Sequence, residues 1–169
     1  MSEWGASAAL LQRICSAARA EACAAAERLV AIGELVSLRL AQDAGATDLW
    51  VVDATDAVTL EVAAALGISR DLAASHVRYA HALRFCLPRL GRTFIAGDID
   101  ETTFRACVFR TGLIVDDDTL TAVDAELAVT APRWGRAAAP SWPPASTGWS
   151  RRSTSTPCGA AVTASPNET

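Results

Sequence analysis

Between Asp56 and Pro88 the chain reads DAVTLEVAAALGISRDLAASHVRYAHALRFCLP, two helical runs separated by three residues. Glu61 to Leu66 is a compact, Ala-rich run that Gly67 interrupts, and glycine is the residue that tolerates the left-handed backbone ending a helix. Ile68 follows as an apolar plug. Ser69 then offers a side-chain oxygen to a free backbone N–H of the next helix. Leu72, Ala73, His76, Val77, Ala80, Leu83 and Leu87 recur at helical spacing and give that helix a wide apolar face. Helix, Gly-Ile-Ser turn, helix is the pattern of a helix-turn-helix. The rest of the chain has to pack around this corner.

Such a corner has two readings. In one, the second helix lies in a DNA major groove and presents Arg70, Ser75 and Arg78 to phosphates or base edges. In the other it is a turn inside an all-helical domain. Three features favour the second. Asp71 sits in the first turn of the would-be recognition helix, where it suits the helix dipole but repels phosphate. Residues 1–132 carry 11 Arg against 18 acidic residues, a net charge of −7, whereas duplex binding leans on positive charge. No dense basic run precedes the last forty residues. A DNA-binding regulator using residues 61–87 is therefore the alternative reading.

In front of the corner, one long helix is expected from Ala6 to about Gln42. Leu11, Ile14, Ala18, Ala22, Ala25, Leu29, Ile32 and Val36 recur every three or four residues, close to a heptad stripe. Glu21, Glu27, Arg28 and Glu34 fall off the stripe as a solvated face. So narrow a seam suits a second copy of the chain, giving a homodimer through the long N-terminal helix, or the chain's own domain; packing within the chain is the favoured choice. Gly45 closes this helix. Asp48 to Val52 is read as a short connection whose Trp50 plugs the core, with Asp53 or Thr55 capping the helix that follows.

After the corner, Pro88 ends the helix at Leu87, because proline pushes its predecessor to extended geometry. Leu90, Phe94 and Ile95 make a short helix stopped at Gly97. Asp98-Ile99-Asp100 caps another, with Phe104, Cys107, Val108 and Phe109 inward and Arg105 and Arg110 outward. Asp116-Asp117-Asp118 opens a last helix, Leu120 to Val129, where acidic residues suit the dipole, and Pro132 closes the helical region. The Asp triplet lacks the Gly and distant Glu of a calcium loop. The expected fold is an all-α bundle of about six helices over residues 6–132: one long N-terminal helix, a helix-turn-helix-like corner in the middle, and a disordered C-terminal tail over residues 133–169.

Chemistry is sparse. The five cysteines, at 15, 23, 86, 107 and 158, form no CxxC pair and no zinc spacing, so they read as free, largely buried thiols. The histidines are His76 and His81, both within one helix, and the sole asparagine is Asn167. No Gly-rich phosphate loop or Ser-His-Asp order appears. No catalytic residue, metal, cofactor or small-molecule substrate is expected. The start, MSEWGASAALLQRIC, lacks a positive leader, and no apolar run approaches a membrane span. A cytoplasmic location without membrane contact is expected.

The run LPRLGRTFIAGDIDETTFRACVFRTGLI, then DDDTLTAVDAELA and APRWG, resembles the actinobacterial 13E12 repeat family, built on domain of unknown function 222. The AARAEA opening of the long helix and the segment around Trp50 and Asp56 also fit, so the resemblance covers roughly residues 10–135. It implies a helical domain usually placed ahead of an HNH endonuclease domain in loci of mobile-element character. An HNH site requires a histidine base, an asparagine to orient it and a metal-binding histidine. With His76, His81 and Asn167 alone, this chain is expected not to be an enzyme.

Beyond Gly135 the texture changes to AAAPSWPPASTGWSRRSTSTPCGAAVTASPNET, rich in Pro, Ser, Thr and Ala, a composition that reads as disordered. Written in GC-rich codons and read one frame over, Ser141 to Thr163 can give an amphipathic helix ending in a basic run. A frameshift between Gly135 and Ser141 is the favoured account. The alternative is an authentic tail, whose net charge of +3 over residues 133–169 allows weak contact with nucleic acid. The leading functional reading is a non-catalytic helical domain of a 13E12-type protein that has lost its nuclease region.

Overall fold

A computed structural model describes residues 3–42 and 49–134. The described chain is all-α: α1 Glu3–Gln42, α2 Leu49–Leu66, α3 Arg70–His81, a π-helical turn Ala82–Cys86, α4 Pro88–Ile95, α5 Glu101–Thr111 and α6 Asp117–Trp134. Six helices with one long first member is the architecture expected from the periodicity. The reading of residues 135–169 as a disordered or frameshifted tail lies outside the described residues, as does the side chain of Trp50.

Helix α1 is the spine. At 1.5 Å per residue its 40 residues span about 60 Å, more than the small bundle can cover. Ala22, Ala25, Ala26, Leu29 and Ile32 are buried, and this part of the helix packs against α2, α3, α4 and α5. The stripe expected to meet either a second copy or the chain's own domain therefore divides. Its C-terminal half is covered by α2 to α5, while Leu10, Leu11 and Ile14 remain 55%, 60% and 63% exposed.

The corner forms as the residues dictate. Gly67 takes φ +63°, Ser69 is extended, and its Oγ accepts from the amide of Leu72 at 3.3 Å. Ala73, His76, Val77, Ala80, Leu83 and Leu87 are buried, whereas Leu72, in the first turn, is 39% exposed. Asp100 accepts from the amide of Thr103 at 2.6 Å to start α5. Asp116 accepts from the amide of Thr119 at 2.8 Å to start α6, and the Thr119 hydroxyl donates to the same carboxylate oxygen. Each such cap contributes about 1 kcal/mol. The centre of the core is made by Leu29, Leu87, Leu90, Phe94 and Phe104, all fully buried. Phe94 and Phe104 stack with ring centroids 4.9 Å apart.

Four local expectations are corrected. Leu49 to Val52 are already helical, so Asp53 and Thr55 lie inside α2 and do not cap it; no Gly or Pro separates Leu49 from Leu66 to break the helix. Helix α3 gives way to the π-helical turn at Ala82, where the amide of Leu87 reaches back to the Ala82 carbonyl at 2.8 Å. Phe109 is 79% exposed. It lies five residues on from Phe104, about 140° round the helix, and the inward face is Phe104, Cys107, Val108 and Thr111. Pro132 does not stop α6, which runs to Trp134; so near a helix end, the missing N–H removes little.

Helix α4 enters the core under unusual control. Asp124 of α6 is 2% exposed, and its carboxylate accepts from the amides of Arg89 and Leu90 at 2.9 Å each. Asp124→Ala should leave one buried and one part-buried donor unsatisfied and lower stability by about 3 kcal/mol. Asp118→Ala, at an exposed first-turn acid, should change it by only a few tenths, about 0.3 kcal/mol. Urea unfolding reads both, and equal midpoints for the two variants would refute the role given to Asp124.

The α4–α5 loop is tied to α1. Arg19 donates through Nε and Nη2 to the Ala96 carbonyl at 3.1 and 2.8 Å and pairs with Asp98 at 3.1 Å. Between them Gly97 has φ +72°, and a Cβ there would lie 2.7 Å from Arg19 Cγ and 2.8 Å from Cys23 Sγ. Gly67 shares the positive φ but has open space around it. Gly67→Ala should therefore cost about 1 kcal/mol from backbone strain alone. Gly97→Ala should cost about 1–3 kcal/mol more, from the added overlap. A thermal melt in which both variants shift equally would contradict this.

Candidate nucleic-acid interface

Of the residues assigned to DNA contact, two come together and one stands apart. Ser75 Oγ donates to the Asp71 carbonyl at 3.0 Å, and Arg78 Nη2 approaches the same hydroxyl at 3.4 Å. Arg70 instead reaches back to α2, where it meets Asp56 at 3.0 Å with both side chains more than half exposed. An ion pair so open to water is worth roughly 0–1 kcal/mol, so it fixes the angle of the corner only weakly. The hydroxyl of Ser75 is used within its own helix, and the outward face of α3 carries Asp71 beside its two arginines.

The same helix turns a second set of groups toward α1 and α5. His76 is buried, and its Nδ1 has no hydrogen-bond partner. Beside it Arg28 of α1 binds Glu101 of α5 at 2.9 Å, with both side chains partly buried. Three residues on, Tyr79 is buried. The guanidinium of Arg78 lies 5.5 Å from its ring centroid and that of Arg105, from α5, lies 5.2 Å away. Burial raises the phenol, but the two arginines outweigh it and hold it below its ordinary value of 10.0.

Sequence reasoning missed most of this cluster. Arg28 reads as part of a solvated face and is half buried. Arg105 reads as simply outward and lies over an aromatic ring of another helix. The available signal was the i, i+3 pair of His76 and Tyr79 on a helix otherwise lined with Ala and Val.

Elsewhere the titratable groups serve packing. His81 lies 5.0 Å from the ring of Phe85. Burial pushes the Cys107 thiol up to about 11, which keeps it protonated and unreactive. Cys15, which is exposed, and Cys23 are also free thiols, whereas Cys86 is disulfide-bonded, so the reading of all five cysteines as free, largely buried thiols is corrected at Cys86 and Cys15. An open groove of about 550 Å³ between α4 and α6 is lined by Arg89, Arg92 and Asp98, among others. Among the described residues, no helix is long and apolar enough to cross a membrane.

Burial lowers His76 below 6.5, with Arg28 and Arg105 pushing the same way and Glu101 opposing. Burial alone lowers His81. A histidine with a depressed folded pKa binds fewer protons folded than unfolded, so stability falls as pH drops below 6.5. The urea midpoint should therefore decrease between pH 7.5 and pH 5.5, and the double change His76→Gln, His81→Gln should flatten that slope. A wild-type midpoint that rises on acidification would contradict the assignment.

The family profile described as "Domain of unknown function (DUF222)" matches residues 16–141. Among curated proteins, the chain is 38% identical over 142 residues to "Uncharacterized protein in est 3'region" of Mycobacterium tuberculosis, covering 84% of this chain and 40% of that protein. It is likewise 38% identical to "Uncharacterized protein Rv3776" of the same species, covering 84% of this chain and 27% of the relative. A third relative, "Uncharacterized protein Rv2100", is 38% identical over 141 residues and is covered for 25% of its length. The chain thus spans between a quarter and two fifths of the curated relatives it matches. No solved structure matches. With the greater part of its length matched by one profile, this chain belongs to the DUF222 family.

Proposed function

We propose that the chain is a non-catalytic helical module of a 13E12-type repeat protein, separated from the HNH nuclease region that longer members carry. The observation that carries this reading is the use made of its two histidines. His76 is buried on α3 beside the Arg28–Glu101 ion pair, and His81 is half-buried against Phe85. A general base must lie within hydrogen-bond reach of the proton it removes; the His76 ring is buried, and His81 Nδ1 lies against Cys86 Sγ at 3.7 Å. The relatives, of which the chain spans at most 40%, leave ample length for chemistry outside this module. In such proteins the module would position a nuclease, by analogy of placement. The change of composition after Gly135 supports reading this chain as a remnant.

Two measurements test the proposal. Purified chain incubated with supercoiled plasmid and Mg²⁺, Mn²⁺ or Zn²⁺ should leave it intact. Nicking that His76→Ala or His81→Ala abolishes would overturn the non-catalytic reading. Nucleotide sequence from the Arg133 codon onward should show a second frame that continues helically into an HNH region. Interruption of that frame at once would sink the remnant reading.

The second reading is a DNA-binding regulator acting through residues 61–87. Its support is the built corner itself, with Gly67 left-handed and Ser69 capping α3. Micromolar duplex binding that weakens with salt and disappears in Arg70→Ala, Arg78→Ala would favour it, and no binding at low salt would end it.

A further inference from the structure

We propose that Arg78 and Arg105, converging from α3 and α5 on the ring of Tyr79, form a binding site for a phosphate group. The inference rests on neither functional reading above. Its starting point is how the charges are placed. Arg19, Arg28, Arg39 and Arg70 each meet a carboxylate at 2.9–3.1 Å. Arg78 and Arg105 have no such partner among the described residues, although residues 1–132 hold 18 acids against 11 arginines.

For Arg105 the missing partner is nearby. Glu101 stands four residues earlier on α5, the spacing at which a carboxylate and a cation ordinarily pair on a helix. In the structure Glu101 turns the other way and binds Arg28 of α1 at 2.9 Å. Arg105 is thereby released to lie over Tyr79, 5.2 Å from the ring centroid. Arg78 approaches the same ring at 5.5 Å and is braced by the Ser75 hydroxyl at 3.4 Å. Two like charges are held at one aromatic ring, and neither forms an ion pair among the described residues.

The ring orders both cations. Tyr79 is 8% exposed, so it is a fixed platform, and its phenol oxygen takes up only part of the donor set of the two guanidinium groups beside it, which leaves N–H groups of each for a further acceptor. Arginine forks match the oxygens of a phosphate. His76 sits on the same side of α3, buried with an unpartnered Nδ1, and its burial disfavours a charge on the ring. The neighbourhood of Arg28, Arg78 and Arg105 against Glu101 is therefore net positive inside an acidic domain. The phosphate could belong to a free phosphate or nucleotide, or to a nucleic-acid backbone. The chemistry recognised is the same.

The test uses the full chain and three probes: inorganic phosphate, a 5′-mononucleotide and a short DNA duplex. Calorimetric titration with the first two, and fluorescence anisotropy with the third, should give saturable binding to at least one. Arg105→Ala and Arg78→Ala should each weaken it tenfold or more. Arg110→Ala, at an exposed α5 arginine away from the ring, should leave it within twofold. Thermal melts of the two surface variants should match wild type. Binding of phosphate or mononucleotide without duplex assigns the site to a small phosphate. Duplex binding that inorganic phosphate competes away assigns it to a backbone phosphate. No saturable binding by any probe, or equal losses for Arg105→Ala and Arg110→Ala, overturns the proposal.

Discussion

The amides at the start of α4 must be satisfied inside the protein, and the surrounding structure follows from how this is done. A helix leaves its first four N–H groups without partners. Pro88, at the first position, has no N–H. The next two, on Arg89 and Leu90, donate to the two carboxylate oxygens of Asp124, and Gly91 returns to the Leu87 carbonyl at 2.8 Å. Every donor of the turn is thereby accounted for, which is what allows Leu87, Leu90 and Phe94 to be fully buried. Because the acceptor comes from α6, the same two bonds fix α6 across α4. Proline also forces the chain to break at Leu87, with φ −132° and ψ 55°, and the widened turn from Ala82 delivers that break. Three helices are therefore set by one proline and one buried carboxylate.

This arrangement shows what was legible in the sequence and what was not. Helix existence was readable because periodicity and capping residues are local: Ser69, Asp100 and Asp116 each act within three residues of themselves. Pro88 was readable as a break for the same reason. Asp124 was not, because its partners lie 34 and 35 residues away, and a lone Asp on a helix resembles any surface acid. Phe109 misled because an aromatic residue is presumed to be inside, whereas its angle on α5 decides otherwise. Leu49 to Val52 misled because acid and threonine nearby imitate a cap when an unbroken helix is equally compatible with them.

The candidate site divides along the same line. Arg70, Ser75 and Arg78 could be placed on one helix from sequence, yet Arg70 turns to Asp56 on α2 while Arg78 keeps company with Tyr79. The cluster around His76 needed α1, α3 and α5 assembled at once, and no spacing within a single helix announces a contact 73 residues long such as Arg28 to Glu101. The loop holding α5 in place relies on another such contact, from Arg19 to Ala96 and Asp98. The one chemical feature of this surface that stands out is therefore tertiary in origin.

Net charge and local charge lead to different conclusions here, and distance decides between them. A charge of −7 over residues 1–132 opposes the approach of a polyanion as a whole, which weighs against a long basic footprint on DNA. At physiological salt, however, exposed charges more than about 8 Å apart are largely screened from one another. An oxyanion touching Arg78 and Arg105 feels those two cations and Glu101 strongly, and the acids of distant helices weakly. Glu101 is in turn neutralised by Arg28 at 2.9 Å. An acidic domain can thus carry a site for a single phosphate while remaining a poor partner for an extended duplex. A contact at the Tyr79 ring is then governed by the two arginines beside it, and not by the domain's total charge.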